Sequence, residues 1–150
     1  MAAIVANVGL GKVARYADLP LTNDILVYGL LVTAGLVSDA TLKDYTTVSG
    51  MLAGASDEAT FTGYARVTAT SVTVTIDQAN DRTDVDTADP QWSPTSAQAL
   101  GNLFLCYEPD STAPADANKV PLFYDDFSLT TPTSGTVTYQ VAASGFFRAS

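Results

Sequence analysis

Apolar positions along this chain change period several times, and each change marks an element. Residues 25–32 form a continuous apolar run between Asn23-Asp24 and Thr33-Ala34-Gly35. The run is short and rich in branched side chains, so it predicts a strand buried on both faces. Residues 100–107 repeat that signal and predict a second strand of the same kind. Between them, residues 38–54 follow another rhythm. Tyr45, Val48, Met51 and Leu52 recur at roughly helical spacing, Asp39 is a candidate N-cap, and Gly50 and Gly54 limit the length. One or two short helical turns are predicted there. From Phe61 the period falls to two. Phe61, Ala65, Val67 and Ala69 share a face opposite Tyr64, Arg66 and Thr68. Val72, Val74 and Ile76 then alternate with Ser71, Thr73 and Thr75, the pattern of a half-buried antiparallel strand. Ala69-Thr70-Ser71 is read as a hairpin or bulge joining the two.

Residues 77–97 are polar and punctuated by Pro90 and Pro94, with Val85 and Trp92 as their large apolar members. A short strand is expected over residues 82–86. Residues 108–119 read as a loop rich in Pro, Asp and Ala. Val120, Leu122 and Tyr124 then alternate with Pro121, Phe123 and Asp125, and the proline places that strand at a sheet edge. Residues 131–135 form a turn, after which Val137, Tyr139 and Val141 alternate with Thr136, Thr138 and Gln140. Six to eight short strands with turns between them predict an all-β domain: an antiparallel β-sandwich or barrel-like sheet pair with one or two short helical turns. That domain is assigned to residues 23–150. Residues 1–22 read as an N-terminal arm that carries Lys12 and Arg15 and stops at Pro20; Gly9 and Gly11 weaken any helix in it. The arm has two docking options, a neighbouring subunit or its own domain.

Composition narrows the function. A length of 150 residues suits one domain. Seven basic against sixteen acidic residues give a net charge of −9, and no cluster of Lys or Arg exists. The positive stripe that nucleic-acid binding needs is therefore missing, and DNA and RNA are excluded as direct partners. The longest apolar run is too short and too interrupted to span a membrane as a helix. Residues 1–10 lack a basic region ahead of their apolar stretch, so they do not read as a signal peptide.

Candidate chemistry is sparse. The chain has no histidine, the commonest general base, and one cysteine, Cys106, which reads as a buried inert thiol. Gly9-Leu10-Gly11-Lys12 is not a phosphate-binding loop, and zinc-ligand spacing is absent. These features predict a protein that is not an enzyme and carries no cofactor. The remaining candidate is acidic: Asp77, Asp81, Asp84, Asp86 and Asp89 fall in one short stretch. Asp84, Asp86 and Asp89 are weak candidate calcium ligands, although the glycine and terminal glutamate of an EF-hand loop are missing. The alternative is a solvated loop in which aspartates make turns. Paired carboxylates for glycoside cleavage rank lower, because Trp92 alone does not line a sugar cleft. Trp92 itself is weighed as a core anchor first and a ligand platform second.

One order of motifs resembles a known group. A strand Ala59-Thr60-Phe61-Thr62-Gly63-Tyr64-Ala65-Arg66 precedes the strand at residues 72–76, and Asp86-Thr87-Ala88-Asp89-Pro90-Gln91-Trp92 follows it. An apolar strand then ends in Cys106-Tyr107-Glu108, and a loop leads to Leu122-Phe123-Tyr124-Asp125. Over residues 24–148 this order resembles small virion structural proteins of tailed bacteriophages, notably those infecting actinobacteria. The resemblance implies a virion subunit, on the capsid surface in preference to the tail. Its partners would be the major capsid protein or other virion subunits, and it would form a homo-oligomer, by analogy a trimer. The alternative is a tail-tip or fibre component touching the host surface, with aromatics such as Tyr45, Trp92 or Tyr107 exposed at its tip. No catalytic residue carries over.

Overall fold

The computed structural model describes residues 4–9, 11–54, 56–143 and 145–149. Met1, Ala2, Ala3 and Leu10 of the expected arm lie outside the described residues. The domain is mainly β and antiparallel throughout, with a sandwich-like core. Its frame is a five-stranded sheet. Strand β1 (Ile4–Val5), β2 (Ile25–Val32), β3 (Val67–Thr68), β7 (Ala99–Glu108) and β8 (Val120–Thr130) run in the order β1-β8-β7-β2-β3. A second sheet joins β4 (Thr73–Asp77), β5 (Arg82–Asp86) and β10 (Phe147–Ala149) in the order β10-β5-β4. A short ribbon pairs β6 (Gln91–Trp92) with β9 (Val137–Thr138).

The doubly apolar runs become the two central strands because both faces of the large sheet are covered. On one face Leu26, Tyr28, Leu30, Leu103, Leu105 and Tyr107 pack with Val85 of the second sheet and with Trp92 and Tyr139. On the other face Val27, Leu31, Phe104, Cys106 and Tyr124 pack with Leu42, Val48 and Met51. Those three come from the helices α2 (Asp39–Leu42) and α3 (Val48–Ala53). Successive residues of a strand point to opposite faces, so β2 and β7 feed both clusters and are apolar along most of their length, with Asn102 and Glu108 the buried polar members of β7. Each fully buried leucine contributes about 2 kcal/mol. Gly29 sits opposite Phe104 in the ladder, and a Cβ there would lie 2.2 Å from the Phe104 Cζ, so the ring occupies the space that glycine leaves.

Several expectations are corrected. The N-cap of α2 is Ser38, not Asp39, which falls in the first turn. Residues 61–66 do not continue β3. A turn closes from Tyr64 N to Phe61 O at 2.9 Å, and Gly63, at φ +93°, lies so close to the Ser93 carbonyl that a Cβ would be 2.5 Å from it. Ala69-Thr70-Ser71 is no hairpin: β3 belongs to the large sheet and β4 to the small one, so the segment crosses between layers, with Ser71 at φ 52°. In β4 the alternation does not bury all three apolar residues, and Ile76 is 72% exposed. β8 is not an edge strand. β1 pairs along its outer side at Phe123 and Tyr124, and Pro121 is tolerated beside the register shift between Leu105 and Cys106.

The segment expected as an arm lies on its own domain over residues 4–9 and 11–22. Ile4 pairs with Tyr124, Ala6 N bonds Leu122 O, and a helix α1 (Val13–Ala17) places Val13 and Ala17 in the core. The glycines expected to weaken any helix there lie outside it: Gly11, at φ +73°, stands before the five-residue α1. Val13 and Ala17 are four apart and so share one helical face.

Candidate functional site

The acidic stretch is distributed over the β4–β5 hairpin and the segment leaving it. Asp77 pairs with Arg82 and Asp84 with Thr75 across the hairpin, and Arg82 Nε lies 3.1 Å from a carboxylate oxygen of each aspartate. Asp84 also accepts from Arg148 Nε at 2.6 Å, and that bond, with nearby positive charge, lowers its pKa. Asp77 closes the hairpin turn by accepting from Asn80 Nδ2 at 2.7 Å, and its pKa is lowered too. Asp86 accepts from the Thr87 N–H at 2.8 Å, while Asp89 accepts from the Val141 N–H at 2.8 Å, a contact far along the chain. The candidate calcium ligands Asp84, Asp86 and Asp89 are thus not brought together. Among the described residues no group of three or more His, Cys, Asp or Glu side chains is placed to hold a metal ion.

The other chemical candidates are internal. Cys106 is fully buried, its Sγ donates to Val27 O at 3.4 Å, and desolvation pushes the thiol up to about 12. A thiol in that state is no nucleophile at neutral pH. Trp92 is 3% exposed and donates from Nε1 to Ala65 O at 2.9 Å, which makes it a core anchor.

Two cationic features were not apparent from spacing. The first is a clamp around Arg66. Its guanidinium takes Glu58 through Nε and Nη2, both at 2.7 Å, and Asp116 through Nη1 at 2.5 Å and Nη2 at 2.9 Å. Such paired forks are the strongest side-chain ion contacts. The guanidinium carbon also lies 5.7 Å from the centre of the Phe104 ring. Burial opposes the Arg66 charge, but the bonds to Glu58 and Asp116 outweigh it and raise its pKa. The Arg66 bonds, set against some desolvation, bring Asp116 down to about 2. Lys119 extends the network, reaching Asp116 at 2.9 Å and the buried Glu108 carboxylate at 2.6 Å. The clamp fastens the loop before β8 to the sheet, and main-chain bonds from Val48 N to Lys119 O and Ser49 N to Asp116 O fasten it to α3. The sequence signal was a lone arginine in an otherwise uncharged segment.

The second feature is an open groove of about 430 Å³ lined by Lys12, Arg15, Tyr16, Pro20, Leu21 and Tyr107. The Tyr16 and Tyr107 rings stack at 4.4 Å. Buried Asp24 supports the floor by accepting from Tyr107 Oη and Leu21 N, each at 2.8 Å. Burial and then the bond to Asp24 push the Tyr107 phenol up to about 12. The signal in sequence was two of the seven basic residues only three positions apart, beside a tyrosine.

A different surface completes the picture. β4 forms one edge of its sheet, with no strand on its outer side among the described residues, and it exposes Thr73, Thr75 and Ile76. No protein-family model matches this chain, and neither does any curated protein or solved structure.

Proposed function

We propose that this chain is a non-enzymatic virion structural protein that decorates or stabilises a tailed-phage capsid through subunit contacts. The observation that carries the proposal is the outer edge of β4. No strand pairs with it among the described residues, the neighbouring Ile76 is 72% exposed, and it has no lysine to guard it. Edges of that kind accept a strand from another chain unless something blocks them. A non-catalytic role is supported by chemistry. The chain has no histidine, its one thiol is buried, and most of its clustered carboxylates are engaged by arginines or main-chain N–H groups. The capsid reading is favoured over a host-contacting tip because Trp92 and Tyr107 are buried and Tyr45 is half-buried.

Quantitative mass spectrometry of purified particles tests the reading. A copy number comparable with that of the major capsid protein is expected; a handful of copies per particle moves the protein to the tail. Deleting residues 1–20 would be a poor probe, because it removes Val13 and Ala17 from the core. Ile76→Lys is the better one: the protein stays folded and its occupancy on particles falls. Unchanged occupancy removes the β4 edge from the contact.

A further inference from the structure

The groove beside α1 carries two cations on a molecule that is otherwise acidic. The molecule carries −9 overall. Four of its seven basic residues, Arg66, Arg82, Lys119 and Arg148, are held in intramolecular ion pairs. Lys12 and Arg15 are exposed and form no such pair among the described residues, and they line one groove. Positions three apart at a helix start lie on the same side, so the two charges act together. Asp24, beneath the floor, is buried, accepts from Tyr107 Oη and Leu21 N, and forms no ion pair with either cation among the described residues. The remaining lining is apolar. The stacked tyrosine pair makes a flat wall, and Leu21, 56% exposed, makes a rim.

We propose that this groove docks an acidic peptide segment of a neighbouring protein subunit, with a carboxylate between Lys12 and Arg15 and an adjacent apolar side chain between Leu21 and the Tyr16 ring. The occupant is a peptide and not a polyanion for an electrostatic reason. Two cations match one or two carboxylates, whereas the acidic remainder of the surface repels a nucleic acid or other dense run of phosphates. The volume of about 430 Å³ suits a short piece of chain. Position supports a subunit contact: α1, which carries Arg15 and Tyr16 of the groove, packs against β4 and β5, and β4 is an edge strand of its sheet among the described residues. In that respect the inference rests on the assembly role proposed above.

The test is fluorescence anisotropy on the full chain, with a labelled hexapeptide Gly-Glu-Leu-Asp-Leu-Gly and its Gln/Asn counterpart. The acidic peptide is expected to bind, to weaken severalfold as salt screens the contact, and to lose about tenfold or more in the Lys12→Gln/Arg15→Gln double variant. Leu21→Ser should weaken this peptide but not one in which both leucines are replaced by glycine. Both variants change exposed side chains, and an unchanged thermal melt confirms that each is folded. Equal binding of the neutral peptide overturns the proposal, as does an unaffected double variant or absence of binding at millimolar peptide. Displacement by inorganic phosphate or an oligonucleotide at lower concentration than the peptide overturns the ligand class. The particle copy number separates the two readings. If peptide binding fails while copy number stays high, the groove assignment falls and the capsid role stands; if binding holds while copy number is low, the reverse is true.

Discussion

Arg66 and Lys119 on one side of the molecule, and Lys12 and Arg15 on another, are the same residue types in opposite circumstances. The first pair is locked. Arg66 is gripped by two carboxylates, and Lys119 is 6% exposed against a Glu108 that is 1% exposed. The second pair projects from a short helix start into an open groove and has no acidic partner among the described residues. A cation surrounded by its own carboxylates has its charge spent on holding the fold, and a cation left unpaired on an acidic protein keeps its field for something outside. Counting basic residues cannot tell these cases apart, because burial decides which charge is already compensated.

Breaking the locked side is expected to have the largest effect. Lys119→Ala leaves the Glu108 carboxylate buried without its cation and should destabilise by about 4 kcal/mol, read as a lower urea midpoint. Replacing both partners by apolar residues, Lys119→Met with Glu108→Leu, should recover most of that loss. If the double variant is as unstable as the single one, the cost lies in packing and not in the stranded charge. Arg66→Ala comes next at about 3 kcal/mol, since it frees Glu58 and Asp116 and uncovers the Phe104 ring. A loss below about 1 kcal/mol would mean that the clamp behaves as an ordinary surface pair.

Asp116→Asn sharpens the comparison through pH. The folded pKa of Asp116 is depressed from 3.8 to about 2, chiefly by its bonds to Arg66. The carboxylate therefore stabilises the fold fully above its unfolded pKa, and that stability is lost as pH falls through the window from 3.8 to about 2. Its side chain is 35% exposed, so solvent screening brings the contribution to about 1 kcal/mol. Unfolding curves of the wild type and the variant should differ by that amount at neutral pH and converge near the bottom of the window. A constant difference at all pH values would assign the effect to shape. The smallest effect is expected on the open side: Lys12→Gln/Arg15→Gln should shift stability by no more than about 0.5 kcal/mol, read from thermal melts. A larger loss would show that these cations also hold the fold.

The amino-acid sequence by itself determined the class of the protein. The uninterrupted apolar runs at residues 25–32 and 100–107 required two strands covered on both sides, and they are the centre of the large sheet. Val85 marked the short strand over residues 82–86, and Cys106 in its apolar run could be read as an inert buried thiol. Periodicity reports only the environment of each residue, and these environments are uniform along each run. What tertiary structure decided is which distant segments meet. Asp89 read as part of an acidic cluster, yet its carboxylate caps Val141 N; Asp116 read as loop, yet it closes on Arg66. Val72, Val74 and Ile76 gave the clearest alternation, but Ile76 is exposed because no described residue covers that end of the hairpin. Whether residues 4–9 and 11–22 stand out or fold back depended on the space beside β8 and on the gap that Val13 and Ala17 fill. Local sequence sets the period of each element. Pairings between residues far apart in the chain fix which charges are spent and which remain available, and those exist only once the layers have closed.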